Sequence, residues 1–436
     1  KKIKVVGFDM DYTLVDYNTA VFEKLAHSLA CRRLVEQYGY PEIVRSFAFD
    51  NKRAIVGLVV DKKHGNLIKL SRYNKVKTAY HGLEEIDFRE YNRLYRLRAI
   101  DIREADFQSL DTSFSISYAV LFSQIVQAKK DGAKLPDFRT IADNVSECID
   151  SLHRDGSLKN ILKSDFSSYV VKDPQTAQML ERLKSYGKKL MVITNSDYSY
   201  TRALLNFAIN PFLKEHKSWQ DVFDLVITFA DKPRFFEGPH RFLKIDPKTG
   251  LMSNHEGPVS SGIWQGGWFA DVQEGFGVPG DEILYFGDHI FGDVVSIKKR
   301  CDWRTGLVLG DLDEELEAIR ETRNLQEEID RLMERKTELE KLSDLAEMDR
   351  HYGKNTRVPQ KQLEEQEKLN NRISELLEKL KSHFNPYWGE ILRAGSEESR
   401  YAEQVERYAC IYMTRVSELY GYSPRTYFRP PRRKLA

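Results

Sequence analysis

The sequence predicts an α/β protein: a parallel sheet with helices on both faces, an inserted and mainly helical cap, and a C-terminal helical hairpin. Three observations predict it. Five short apolar runs, at 3–8, 189–193, 225–229, 283–286 and 306–309, are each followed by polar or glycine-containing residues and then by helix-like sequence; runs of that kind, buried on both faces, mark parallel strands. The first two runs lie about 180 residues apart, far more than a strand-to-helix connection needs, so 18–165 reads as an insertion. After Asp311, leucine and isoleucine recur at mostly helical spacing among many charges.

The elements follow in order. The opening Lys1-Lys2-Ile3-Lys4-Val5-Val6-Gly7-Phe8-Asp9 has the basic start of a secretory leader, but its apolar stretch is too short and ends in acids, so it reads as a buried first strand. The insertion carries helices over 21–38, 115–130 and 139–154. The remaining runs return to the sheet and give a core of 1–17 and 166–310. From Leu312 the stripe passes through Leu316, Ile319, Leu325, Ile329, Leu332, Leu339, Leu342 and Leu345, breaks at 351–359, and resumes at Leu369, Ile373, Leu376 and Leu380. That pattern makes 311–382 two antiparallel helices, packed on their own domain or, alternatively, joined in an intermolecular coiled coil. Residues 383–436 form a last helical segment packed on the core, with a basic tail of Arg425, Arg429, Arg432, Arg433 and Lys434.

Composition excludes several classes of function. A net charge of +1 creates no global field toward nucleic acid or an anionic membrane. Cys31, Cys148, Cys301 and Cys410 are far apart with no CxxC pair, which argues against a zinc site and a disulfide framework and for reduced thiols in the cytoplasm. No apolar run approaches the roughly 20 residues needed to span a bilayer.

Four polar clusters follow successive strands. Asp9-Met10-Asp11-Tyr12-Thr13 puts two carboxylates in one turn, where one could attack phosphorus and the other handle a proton; aspartate is a covalent nucleophile toward phosphoryl groups. Its charge against a phosphate dianion calls for a cation, and Mg²⁺ prefers oxygen ligands. Thr194-Asn195-Ser196-Asp197 offers a hydroxyl and backbone N–H groups to phosphate oxygens, or else simply caps a helix. Asp231-Lys232-Pro233 offers a cation. Gly287-Asp288-His289-Ile290-Phe291-Gly292-Asp293 offers two more acids in a tight loop. Each is weak alone; their order and their placement at strand ends make the case.

The succession DxDxT, Thr, Lys and GDxxxxD resembles the haloacid dehalogenase (HAD) superfamily, whose core is a Rossmannoid parallel sheet. The phrases DMDYTL, TNSDY, KPRFF and GDHIFGD, with DTSF at 111–114 and HRDGSLK at 153–159, narrow the resemblance to the cytosolic purine 5′-nucleotidases that act on IMP and GMP. The resemblance implies Asp9 as nucleophile and Asp11 as general acid and then base. It implies Thr194 and Lys232 on the phosphoryl oxygens with Asn195 and Ser196 beside them. Mg²⁺ would sit on Asp9, the Asp11 carbonyl and Asp288, with Asp293 behind it or orienting Lys232. For the nucleoside it implies Phe114 stacking on the purine, with Asp150, His153 and Lys159 near base or ribose. Arg154 stands where the family pattern has tyrosine; its fork of donors could reach the purine O6, a phosphate or only solvent. The resemblance further implies a homodimer or homotetramer and a nucleotide effector. Phosphotransfer to a nucleoside, hydrolysis of another small phosphomonoester, and a non-enzymatic interaction role are the competing readings.

Overall fold

The computed structural model describes residues 2–354 and 357–429. The chain divides into two compact units, 1–311 with 391–436, and 312–390.

A nine-stranded sheet organises the first unit. Its spatial order is Met252–His255, Phe242–Ile245, Gly262–Gly266, Leu225–Thr228, Lys189–Ile193, Val5–Phe8, Ile283–Gly287, Arg304–Val308 and Ile411–Met413. Pairings from Gly262–Gly266 through to Ile411–Met413 are all parallel, and the Phe242–Ile245 and Met252–His255 hairpin is added antiparallel at one edge. The central strands are buried on both faces because helices cover each side, and each buried Val, Ile or Phe contributes about 1.5–3 kcal/mol. Gly7 is required where it stands, since a Cβ would strike the Met191 and Tyr285 side chains of the two flanking strands.

Register carries the functional consequence. Phe8 stands beside both Val192 and Phe286, and Ile193 beside Ile227. Neighbouring strands therefore end at one level, and the loops that follow them open on one edge of the sheet, where ligands of doubly wound folds bind.

The insertion holds the helices Thr19–Tyr38, Ile116–Lys130 and Phe138–Arg154, which pack on one another, close to the expected bounds. It also holds a sheet that the sequence reading did not include: Glu84–Glu85, Val76–His81, Asn66–Leu70, Val59–Asp61 and Phe107–Ser109, antiparallel throughout. Its strands hide polar residues in a satisfied network. The buried Asp61 carboxylate accepts from Tyr95 OH at 2.7 Å and lies 2.8 Å from His64 Nδ1, and Asn66 Nδ2 donates to Tyr95 OH at 2.7 Å. Burial of such groups is tolerable only when they are hydrogen-bonded.

In the second unit, Arg323–His351 and Gln360–Lys381 are helices that lie against each other. Leu312, Ile329, Leu339, Ile373 and Leu376 are the buried positions of the expected stripe. Arg335 pairs with Glu365 and Arg372 with Glu328, each at 2.9 Å, across the hairpin; exposed pairs of this kind contribute about 0.2–1 kcal/mol. Arg432, Arg433 and Lys434 of the basic tail lie outside the described residues. Among those described, no helix is long and apolar enough to cross a membrane.

Candidate active site

Asp9 leaves the Val5–Phe8 strand with its N–H still donating to the Phe286 carbonyl at 2.7 Å. The chain then turns sharply: Tyr12 adopts φ +53°, a left-handed conformation costing a non-glycine residue on the order of 1–3 kcal/mol and concentrated at functional sites. Phe229 and Asp231, at φ +48° and +58°, shape the turn that delivers Lys232 in the same way.

Lys232 is the hub. Its ammonium lies 3.0 Å from Asp9 Oδ2 and 2.8 Å from Asp293 Oδ1 and donates to Tyr285 OH at 2.9 Å. An ammonium has three N–H groups, so all are engaged. Asn195 fixes the lysine's backbone from both sides, its Oδ1 accepting from Lys232 N at 2.7 Å and its Nδ2 donating to Lys232 O at 3.1 Å. Tyr285 OH in turn donates to the Ile193 carbonyl at 2.8 Å, one residue before Thr194. Burial works against the charged lysine, but Asp293 and Asp9 outweigh it and hold its pKa well above the usual value.

Asp288 precedes, and Asp293 lies within, a widened helical turn, Ile290–Val295, a geometry frequent at functional sites. Asp293 N donates to His289 O at 2.8 Å, and its carboxylate accepts from His289 N at 3.2 Å. Thr112, from the insertion, donates to Asp288 at 2.5 Å. One carboxylate oxygen each of Asp9, Asp288 and Asp293 lie within 4.8 Å of one another. Burial pushes the Asp9 carboxyl up; Lys232 pulls it back, and Asp293 and Asp11 push it further. Asp288 is held well above the carboxylate range by burial first, then by Asp9 and Asp293. Three crowded acids with one lysine leave uncompensated negative charge, and their hard oxygens are the donor set that Mg²⁺ takes.

Asp11 points elsewhere. It accepts from Tyr17 OH at 2.5 Å and from Ser196 Oγ at 2.8 Å, and Tyr17 OH meets Tyr200 OH at 3.0 Å. Ser196 therefore serves Asp11 rather than standing open to phosphate. Thr194 is buried and accepts from Ser196 N at 3.1 Å.

Beside the turn that follows Asp9 lies an aromatic cluster. Phe114 sits edge-on to Tyr12 at 4.6 Å, to Phe22 at 5.6 Å and to His153 at 5.3 Å. Burial pushes the His153 imidazole down to about 4, and Lys159 adds to the shift. Lys159 lies 3.3 Å from Asp197 and 5.0 Å above the Tyr200 ring, on the side of Asp11. Asp150 is exposed one turn before His153. Arg154 is not brought to this cluster: its guanidinium pairs with Glu147 at 2.8 Å, both exposed. The buried face of that helix is Ile141, Ala142, Val145, Cys148, Ile149 and Leu152, and Arg154 falls off it, so solvent is the alternative the structure takes. Sequence reasoning missed Tyr17, Tyr200, Tyr285 and Thr112. Nothing in the sequence sets these tyrosines apart from core aromatics, and Thr112 was visible only as part of DTSF.

The family model described as "5' nucleotidase family" matches residues 1–436. Curated relatives include a 5'-nucleotidase domain-containing protein of Dictyostelium discoideum, 29% identical over 97% of this chain and 70% of its own length. Another is 5'-nucleotidase domain-containing protein 2 of Rattus norvegicus, 28% identical over 99% of this chain and 77% of its own. Among solved structures, a predicted phosphoglycolate phosphatase from Haemophilus somnus overlaps with a TM-score of 0.31 and 12% identity, covering 71% of this chain and 86% of that one. No residue role follows from so distant a likeness.

Proposed function

The chain belongs to the 5' nucleotidase family, and on that premise we propose that it hydrolyses purine nucleoside 5′-monophosphates, IMP and GMP foremost, to nucleoside and phosphate through an aspartyl-phosphate on Asp9. The observation that carries the reading is the Lys232 hub: one buried ammonium joins Asp9 to Asp293, at the end of the sheet where Asp288 also lies.

In the free enzyme Asp9 is tied to Lys232. An incoming phosphoryl group offers that lysine a competing anion, so the contact exchanges and an Asp9 oxygen becomes free to attack phosphorus in line. The bond from phosphorus to the ribose 5′ oxygen breaks. Asp11, which in the free enzyme accepts from Tyr17 and Ser196, turns from them to give that oxygen a proton. In the second step Asp11 takes a proton from water, the water oxygen attacks phosphorus, and the bond to Asp9 breaks to release phosphate. Thr194 and Lys232 hold the equatorial oxygens, and groups of this type are worth on the order of 10²–10³ in rate. Asp9, Asp288 and the Asp11 carbonyl would hold Mg²⁺, with Asp293 keeping Lys232 in place; bound there, the ion supplies positive charge against the phosphoryl oxygens. Phe114 and His153 would meet the purine, and a neutral His153 can either donate or accept on the base edge. The free thiols, three of them buried, suit a reducing cytoplasm.

The test is phosphate release from a panel of nucleoside monophosphates with Mg²⁺ and with EDTA. Release that needs Mg²⁺ and is fastest with IMP or GMP is expected; no metal-dependent release from any nucleotide would overturn the reading.

A further inference from the structure

Glu23 is an acid on the core face of the Thr19–Tyr38 helix, fully buried, among Phe22, Ala26 and Ala30. A carboxyl there is costly unless something compensates it. The compensation lies on another element: Glu23 Oε2 accepts from Ser117 N at 2.9 Å. Ser117 is the second residue of the Ile116–Lys130 helix, whose own N-cap residue, Ser115, makes no side-chain cap bond. The first N–H groups of a helix need an acceptor, and an acid is favoured there by the helix dipole. Glu23 thus caps from one helix the start of another.

What the cap fixes is the turn Ser113–Ser115, which carries Phe114. The segment is held at three points: Thr112 donates to Asp288 at 2.5 Å, Ser113 donates to Asp311 at 3.0 Å, and Ser117 donates to Glu23. Phe114 lies between the second and third. Phe22, the residue before Glu23, meets the Phe114 ring at 5.6 Å, and Tyr12 of the catalytic turn meets it at 4.6 Å. The helix that caps the segment therefore also touches the ring.

We infer that Glu23 is a positioning residue for nucleoside recognition: by capping the helix after Phe114 it sets the ring at the angle at which it meets the purine. The inference rests on the nucleotide reading of the site. It predicts a change in base recognition with the chemistry spared, because Glu23 is hydrogen-bonded to none of Asp9, Asp11, Lys232 or Asp288 among the described residues.

The experiment compares Glu23→Met, Glu23→Gln and Phe114→Ala by KM and kcat for IMP and GMP. Glu23→Met fills the volume without an acceptor and is expected to raise KM about tenfold with kcat within about twofold, the same split as Phe114→Ala. Glu23→Gln keeps an oxygen for the Ser117 N–H and is expected to stay within about threefold of the parent in both constants. An unchanged KM in Glu23→Met beside a raised KM in Phe114→Ala would overturn this inference and leave the nucleotide reading standing. An unchanged KM in Phe114→Ala would overturn the role of Phe114 itself, and this inference with it. Should Glu23→Met not fold, Glu23→Gln decides: a tenfold rise in its KM would contradict an acceptor role.

Discussion

Tyr285→Phe removes one oxygen and leaves a ring that packs against Phe236 and Trp303. Burial, more than anything around it, keeps that hydroxyl protonated, with a pKa well above the usual phenol value, so it donates to the Ile193 carbonyl while accepting from Lys232. A hydrogen bond to a charged group contributes about 1.5–3 kcal/mol and a neutral one about 0.5–1.5 kcal/mol. Losing both should lower the unfolding free energy by about 2–4.5 kcal/mol. Urea titration reads this as a lower midpoint at unchanged slope, since the surface exposed on unfolding is the same. Lys232 keeps Asp9 and Asp293, so kcat should fall about tenfold, short of the 10²–10³ expected when a charge-stabilising group is deleted. A variant with the parent's urea midpoint and the parent's kcat would refute the reasoning that the lysine is held from three sides.

Other outcomes follow from the same contacts. Lys232→Met leaves the three clustered carboxylates without their cation; kcat should fall about 10²–10³ and stability by about 3–5 kcal/mol, with Mg²⁺ raising the melting temperature of the variant more than that of the parent. Gly287→Ala places a Cβ against the Asp293 side chain, so phosphate release should drop at least about tenfold, as expected when the geometry of a catalytic group is displaced. Glu23 gives a pH signature: burial pushes its carboxyl from 4.5 up to about 7, against the pull of Ser117. The folded protein then binds the proton more tightly than the unfolded chain, so this contribution to stability is complete below about pH 4.5 and is lost as pH rises toward 7, by about 3 kcal/mol at most. Glu23→Gln removes that slope, and its stability relative to the parent should be higher at pH 8 than at pH 5 in denaturant titrations.

The parts legible in the sequence were those where one physical demand acts alone. A central parallel strand must be apolar on both faces, and Lys189–Ile193 and Leu225–Thr228 announce themselves that way. The edge strand Met252–His255 is largely exposed and carries no such demand, and Arg304–Val308 begins on an exposed arginine, which shifted its reading by two residues. In the insertion, Asn66–Leu70 is wholly buried although it contains Asn66 and Lys69. Its pattern is legible only once partners such as Tyr95 are known. The charged groups of the site were visible because acids and a lysine after apolar runs have few structural uses. Tyr285 was not, because a tyrosine inside Ile283–Gly287 fits the core equally well until its hydroxyl is traced to Lys232. Arg154 was legible only as a set of alternatives, because sequence position alone does not say which of two neighbours such as His153 and Arg154 faces the cluster, and adjacent residues do not share a helix face.

The most direct measurement is capture of the intermediate. Enzyme mixed with IMP labelled in its phosphate and quenched in acid within one turnover should carry label on the peptide containing Asp9, in an amount that falls after addition of unlabelled substrate. Asp9→Asn, which keeps the shape but removes the nucleophile, should carry none and release no phosphate. Label on another residue, or phosphate release by Asp9→Asn at the parent's rate, would contradict the account.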